Sequence, residues 1–269
     1  MVIDPSPSAE FDPKYLEHKQ AKIFGCEGSI NAWECCENRS PKPNGNYRCS
    51  GGHLHCGYDN PNLDDSLRIA KAFDLFLGVP SILYDEDKER RKMYGKAGEI
   101  RFPKFGLEFR VLSNFWIFND NLIEWVFNNV HNAIDFINNN KNFDKLIEKE
   151  KENIVSCINT QDKELAEKLI KKYKIPVPDL NKKKDKNSAF AKFNESYIKD
   201  LMQDIYLEPE ARIYNPVRFF DGVVPPVEPL VINNDVEFRE ANEIERRQQE
   251  AMQNILEHHR ARMRDLEDL

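Results

Sequence analysis

No stretch of the chain reaches the roughly 18 consecutive apolar residues that a membrane-spanning helix requires. No membrane partner is expected. Basic excess is missing as well: 39 Lys and Arg stand against 46 Asp and Glu, a formal net charge of −7. A general nucleic-acid binder needs clustered positive surface, so none is expected here. The opening residues, Met1-Val2-Ile3-Asp4-Pro5-Ser6, lack the charged and apolar regions of a secretory leader. That points to a cytoplasm. In that setting the six cysteines read as thiols rather than a disulfide framework. Neither a Walker A loop nor a GxGxxG turn occurs, so nucleotide binding through those two devices is excluded.

Apolar residues make up 40% of the 269, enough for a sizeable core, while 32% are charged and the mean hydropathy is −0.68. Asp12 and Pro13 predict a short helix to Ala21. Residues 25–50, rich in Gly, Asn, Ser, Pro and Cys, read as an ordered loop. Ser50–Gly57 reads as a strand. Leu63–Leu77 has helical spacing, with Gly78-Val-Pro80 as its stop. Gly95–Arg101 and Leu107–Leu112 predict two strands joined by a turn at Pro103–Gly106. Helices are expected at Ile123–Phe136 and at about 142–157 and 161–173. Phe73, Phe76, Phe115, Trp116, Phe118, Trp125 and Phe127 are expected to pack in the core. Arg90-Arg91 reads as a solvated loop, with a phosphate contact as the alternative.

Composition changes after Lys174. The expected organisation is a domain at 1–180, a polar linker at 181–188 and a helical, Pro-rich extension at 189–269. Within that extension a helix at 189–207 precedes an extended arm at 208–233. Asp235–Leu269 then reads as a long charged helix with a thin apolar stripe (Ile244, Ala251, Ile255, Met263, Leu266). Such a helix buries little by itself, so it is a candidate homo-oligomer contact.

Three short segments share one spacing. His53 and His55, Glu99 and Arg101, and Glu108 and Arg110 each stand two apart. On a strand, positions i and i+2 point to one face. Two imidazoles, two carboxylates and two guanidiniums make poor core material, since burying each singly costs several kcal/mol. Together they suit a divalent cation and a polyphosphate: carboxylate oxygen for Mg²⁺, guanidinium forks for phosphate. The bland alternatives are a structural His-x-His strand and weak surface ion pairs.

Gly51-Gly-His-Leu-His-Cys-Gly57, Asp74–Pro80, Tyr94–Gly98 and Gly106–Trp116, in that order, resemble the phage-type carboxylate–amine ligases (amidoligases) of the glutamine synthetase-like superfamily. Phe24–Trp33 resembles them too. The resemblance covers about residues 20–140. It implies an α+β fold, a glutamine synthetase-like antiparallel sheet with an open catalytic face backed by helices. It also implies ATP and Mg²⁺, an acyl-phosphate intermediate, and a carboxylate and an amine as substrates. By the same resemblance Glu108 is a metal ligand, and His53 a metal ligand or phosphate contact. His55 contacts nucleotide or substrate. Arg101 and Arg110 hold the transferring phosphate, with Arg110 also on the nucleotide. Glu99 takes part in catalysis or orients Arg101, and Ser113 and Asn114 are polar contacts at the strand end. The family carries an upstream strand of paired carboxylates; Glu27, Glu34 and Glu37 lack that spacing. A separate polypeptide is therefore expected to supply that half.

Three rivals stand beside this. Zinc would accept Cys49, His53, His55 and Cys56, although their spacing fits no paired-knuckle pattern. A cysteine hydrolase would use Cys49 or Cys56 beside the histidines, yet alternation turns Cys56 away from them. The third is a catalytically silent relative serving in an assembly such as a phage particle.

Overall fold

The computed structural model describes residues 6–18, 21, 29–38, 45–181 and Lys192. All but Lys192 belong to one compact unit spanning Met1–Lys184. The helix expected at 189–207, the Pro-rich arm and the terminal helix lie outside the described residues, Lys192 apart.

The fold is α+β. Strands β1 (Ser8–Glu10) and β4 (Tyr47–Cys49) form a small antiparallel pair. The main sheet has the order β3-β2-β6-β7-β5, and every pairing in it is antiparallel. Its strands are β2 (Ser29–Asn31), β3 (Cys36–Asn38), β5 (Leu54–Gly57), β6 (Glu99–Arg101) and β7 (Gly106–Phe109).

Alternation gives this sheet one apolar face. Ile100 and Leu54 both lie opposite Phe109, and Cys56 lies opposite Leu107. Ile100, Leu107 and Phe109 are fully buried. Helix α1 (Leu63–Phe73) covers them, with the Phe73 ring edge-on to Phe109 at 5.5 Å between centroids. Each such side chain stabilises the fold by about 1.5–3 kcal/mol through burial. Asn62 starts α1 by accepting the Asp65 N–H, and Asp64 and Asp65 sit in its first turn, where their charge suits the helix dipole.

The expected stop at Gly78-Val-Pro80 is not one. The helix widens into a π-turn at Asp74–Gly78 and continues as α2 (Val79–Ser81). Proline is tolerated there because it stands in a new first turn, which needs no N–H from it. The Ser81 hydroxyl donates to the Gly78 carbonyl at 2.6 Å. Gly78 lies so close to Ile158 that a Cβ would come within 2.7 Å of it. A short α3 (Lys88–Met93), capped by Asp87, occupies the expected loop.

Helices α4 (Asp120–Asn139), α5 (Phe143–Thr160) and α6 (Lys163–Tyr173) follow, the first two longer than expected and α6 two residues shorter at its start. Trp125 and Asn129 on α4 both donate to the Pro176 carbonyl, and Asn129 also to that of Phe76. These bonds fasten the segment after α6 to α4 and the π-turn.

Other expectations need correction. The helix from Asp12 is only a 3-10 turn over Pro13–Leu16, with no buried residue to support a longer one. Residues 25–50 are not all loop: β2, β3 and β4 lie there. Ser50–Gly57 shrinks to Leu54–Gly57, Gly95–Arg101 to Glu99–Arg101, and Leu107–Leu112 shifts to Gly106–Phe109. Phe118 is 58% exposed rather than core. The Pro103–Gly106 turn forms as expected, with the Gly106 N–H donating to Pro103 at 3.0 Å. Gly106 has φ +141, and a Cβ there would stand 2.4 Å from the Cys56 carbonyl oxygen. Only glycine fits that close crossing.

Candidate active site

The face of the sheet opposite α1 is polar. Glu108 on β7 pairs with His55 of β5 on one side and Arg101 of β6 on the other. Directly opposed residues point to the same face, so the three strands bring their chemistry into one row. Glu108 is the centre of this row. Its Oε1 accepts from His53 Nδ1 at 3.0 Å and from Arg110 at 3.0 Å. Its Oε2 lies 3.7 Å from Arg101. Burial by itself would raise the Glu108 carboxyl; the His53 hydrogen bond and the charges of Arg110 and Arg101 outweigh it and hold it at about 2. Glu108 is therefore an anion at every physiological pH.

Arg110 is only 1% exposed, and its Nε is buried without a hydrogen-bond partner. Besides the Glu108 contact, its guanidinium lies 5.0 Å from the Tyr94 ring centre. A buried cation with an unused donor is costly unless something else takes that donor. His53 has both ring nitrogens engaged: Nδ1 by Glu108 and Nε2 by the Tyr94 hydroxyl at 2.7 Å. His55 is exposed and stacks on Phe105, 5.5 Å between centroids.

The other expected residues are engaged differently. Glu99 is buried on the same face, but its Oε1 accepts from the Ser29 hydroxyl at 3.1 Å. Its Oε2 accepts from the backbone N–H groups of Gly95 (2.6 Å) and Lys96 (3.2 Å). In this arrangement it clamps the turn leading into β6. The Ser113 hydroxyl accepts the Phe115 N–H at 3.2 Å and caps the 3-10 turn Asn114–Trp116. Asn114 is buried beside it.

Arg90 and Arg91 are no solvated loop: they are 0% and 3% exposed. Arg90 donates to the carbonyls of Ser50, Arg110, Val111 and Leu112. Arg91 donates to those of Gly95 and Val111 and to the Ser81 hydroxyl. Burial pulls the Arg91 guanidinium down to about 10, with the Arg90 charge adding to the effect. Both remain cationic and latch α3 to the strand end after β7. Tyr94 was part of a recognised segment but was not singled out. The available signal was its place one residue ahead of Gly95, at the end of a helix too short for periodicity to show.

The rivals fare poorly on geometry. Among the described residues no three His, Cys, Asp or Glu side chains stand close enough to share a metal ion. Cys49, His53, His55 and Cys56 thus form no zinc set. Cys56 faces away from Glu108 and the histidines by strand alternation, and burial pushes its thiol up, so it is no ready nucleophile. No helix among the described residues is long and apolar enough to cross a membrane.

A family model described as phage phiEco32-like COOH.NH2 ligase-type 2 matches residues 39–203, more than half of the chain. No curated protein and no solved structure matches.

Proposed function

Because the chain belongs to the phage phiEco32-like COOH.NH2 ligase-type 2 family, we propose that it joins a carboxylate to an amine on the polar face of β5, β7 and β6, with ATP activating the acid. The observation that carries this reading is Glu108: an ionised carboxylate held among His53, Arg101 and Arg110 on one sheet face. In the proposed reaction an oxygen of the acid bonds to the γ-phosphorus as the bond to the β–γ bridging oxygen breaks and ADP leaves. The amine nitrogen then bonds to the acyl carbon, phosphate leaves with the electron pair, and the amine gives up a proton to solvent.

The donor set suits a hard cation. Glu108 offers carboxylate oxygen, and its Oε2 has only the long Arg101 contact among the ion pairs. Bound Mg²⁺ would supply positive charge to the phosphate oxygens. Glu108 is the residue that would hold it, with His53 behind as its hydrogen-bond support. Arg101 and Arg110 would bind the transferring phosphoryl group, and the unpartnered Nε of Arg110 supports this role. His55, on Phe105 at the exposed edge, would meet nucleotide or substrate, while Ser113 and Asn114 shape the strand end. Glu99 would act by fixing the turn into Arg101. Mg²⁺ commonly takes one or two carboxylates and completes its shell with water and phosphate. We further propose that a second polypeptide adds ligands to this face.

The test is isothermal calorimetry of Mg·ATP into wild type and Glu108→Gln. Saturable binding that the substitution weakens by roughly ten-fold or more is expected, the loss of one charged contact. Equal binding by both would remove the nucleotide from Glu108. Wild type that binds nothing would reject this chain as a nucleotide site on its own.

A further inference from the structure

Arg110 is an enclosed cation held by very little. It is 1% exposed, and the side-chain hydrogen bond it makes among the described residues joins its Nη1 to Glu108 Oε1 at 3.0 Å. That carboxylate is shared: His53 contacts the same oxygen, and Arg101 lies 3.7 Å from the other. A planar group held at one corner is free to turn about that corner, and an enclosed charge needs more than one favourable neighbour. The second neighbour is Tyr94. The Arg110 guanidinium lies over its ring, 5.0 Å from the centre, within the reach of a cation–π contact.

We propose that Tyr94 is a positioning residue of this site: the face of its ring holds the Arg110 guanidinium in the plane in which it meets Glu108 and grips the transferring phosphoryl group. This rests on the ligase reading above.

The mounting of the ring fits the task. Tyr94 is 5% exposed and closes α3, with its N–H donating to the Arg90 carbonyl at 2.6 Å. Its hydroxyl meets His53 Nε2 at 2.7 Å, which fixes the far end of the phenol. The Arg90 guanidinium also lies over the ring, 5.0 Å from the centre. Unlike Arg110, Arg90 needs no ring for its own placement, because it donates to the carbonyls of Ser50, Arg110, Val111 and Leu112. It thereby ties the phenol to the backbone that carries Arg110. Gly95 leaves room for this contact. A Cβ there would stand 2.2 Å from Arg90 Nη1, and its φ of +77 is one that glycine adopts without strain. The main chain of Arg110 is thus fixed by one arginine, and its side chain by the ring that both arginines share.

A guanidinium that grips the transferring phosphoryl group favours Mg·ATP over Mg·ADP, so the ratio of the two affinities isolates Arg110. Calorimetry of the full chain with each nucleotide reads that ratio. Tyr94→Leu, which removes the ring, should lower the preference for Mg·ATP roughly five-fold, the size of an enclosed cation–π contact. Tyr94→Phe, which keeps the ring, should retain the preference. A loss of packing alone would weaken both nucleotides alike. In an Arg110→Met background Tyr94→Leu should move the ratio less than about two-fold. NMR of the arginine Nε–H groups gives a second readout that needs no nucleotide. The Arg110 signal, identified by its absence from Arg110→Met, should be moved upfield by the ring in wild type and in Tyr94→Phe, and should lose that displacement in Tyr94→Leu. A ratio unchanged by Tyr94→Leu would overturn the proposal. So would an equal fall in Tyr94→Phe, which would assign the effect to the hydroxyl, or an undiminished fall in the Arg110→Met background. If wild type shows no preference for Mg·ATP, the phosphoryl role of Arg110 fails, and the NMR displacement alone decides whether the ring places that side chain: a signal unmoved by Tyr94→Leu would refute it. Should Tyr94→Leu not fold, pentafluorophenylalanine at position 94 keeps the shape of the ring and drains its face of electrons. It is expected to lower the ratio relative to Tyr94→Phe, and an equal ratio would refute the idea.

Discussion

Four arginines surround the strand end, and they divide into two kinds. Arg90 and Arg91 aim most of their donors at backbone carbonyls and a serine hydroxyl, although Arg91 also lies 3.8 Å from the Asp85 carboxylate and keeps a buried Nε without a partner. Arg101 and Arg110 aim theirs at one carboxylate, and Arg110 has a buried donor left over. Carbonyls already fixed in place turn an arginine into a brace. A single carboxylate on the polar face makes it an ion-pair partner instead. Burial does not separate the two kinds, since Arg90 and Arg110 are both fully enclosed; their partners do.

Stability measurements would break this contrast first. Arg90→Met should cost about 3–5 kcal/mol in urea unfolding, because the carbonyls of Ser50, Arg110 and Leu112 lose their only described side-chain donor. Arg110→Met should cost less, about 1–3 kcal/mol, since Glu108 keeps His53 and Arg101 and an unmet buried donor disappears. Equal losses would erase the distinction.

The two most shifted carboxyls sharpen it. Asp74 is fully enclosed; burial raises it to about 7 against the hydrogen bonds from Trp33 and Gly98 and the Arg91 charge. The folded state therefore holds a proton that the unfolded chain releases near 3.8. Stability from this group is greatest below pH 4 and falls, by roughly 2–4 kcal/mol, as pH rises through 7. Glu108 runs the other way. Its folded value of about 2 lies below the unfolded 4.5. Its contribution, on the order of 3 kcal/mol, is present above pH 4.5 and is lost as pH falls through 2. Unfolding followed against pH should lose its neutral-range slope in Asp74→Asn and its acid limb in Glu108→Gln. A slope unchanged by Asp74→Asn would mean that another group titrates there.

The smallest effect should come from His55→Ala. The ring is exposed, and losing its stack on Phe105 should alter stability by less than about 0.5 kcal/mol. A loss above about 1.5 kcal/mol would make His55 a structural residue.

The sequence disclosed which residues share the polar face better than it disclosed the scaffold. The ExR and HxH spacings are read by parity alone, so Glu108, Arg101, Arg110 and His53 were legible before any strand boundary was. Helices α4, α5 and α6 were legible from apolar periodicity over eleven residues or more. Strands β2, β3 and β4 are three residues each, too short for alternation to rise above their Asn, Cys and Gly neighbours. Arg90-Arg91 misled because a buried arginine and a solvated one are the same letter; only the carbonyls around it tell them apart. Pro80 misled because a π-turn resets the helix before it, which no local spacing announces.

The hairpin of β6 and β7 has a consequence in time as well as in space. Arg101, Glu108 and Arg110 sit on one tight reversal, so a short loop closure brings them together. The Tyr94–His53 bond spans 41 residues, and β5 joins the sheet only through β7, across a much longer loop. By the cost of closing those loops, the anion and its two cations meet early in folding, and the His53 imidazole that contacts Glu108 arrives late. A chain halted between those two events would hold the charges of the site without their alignment.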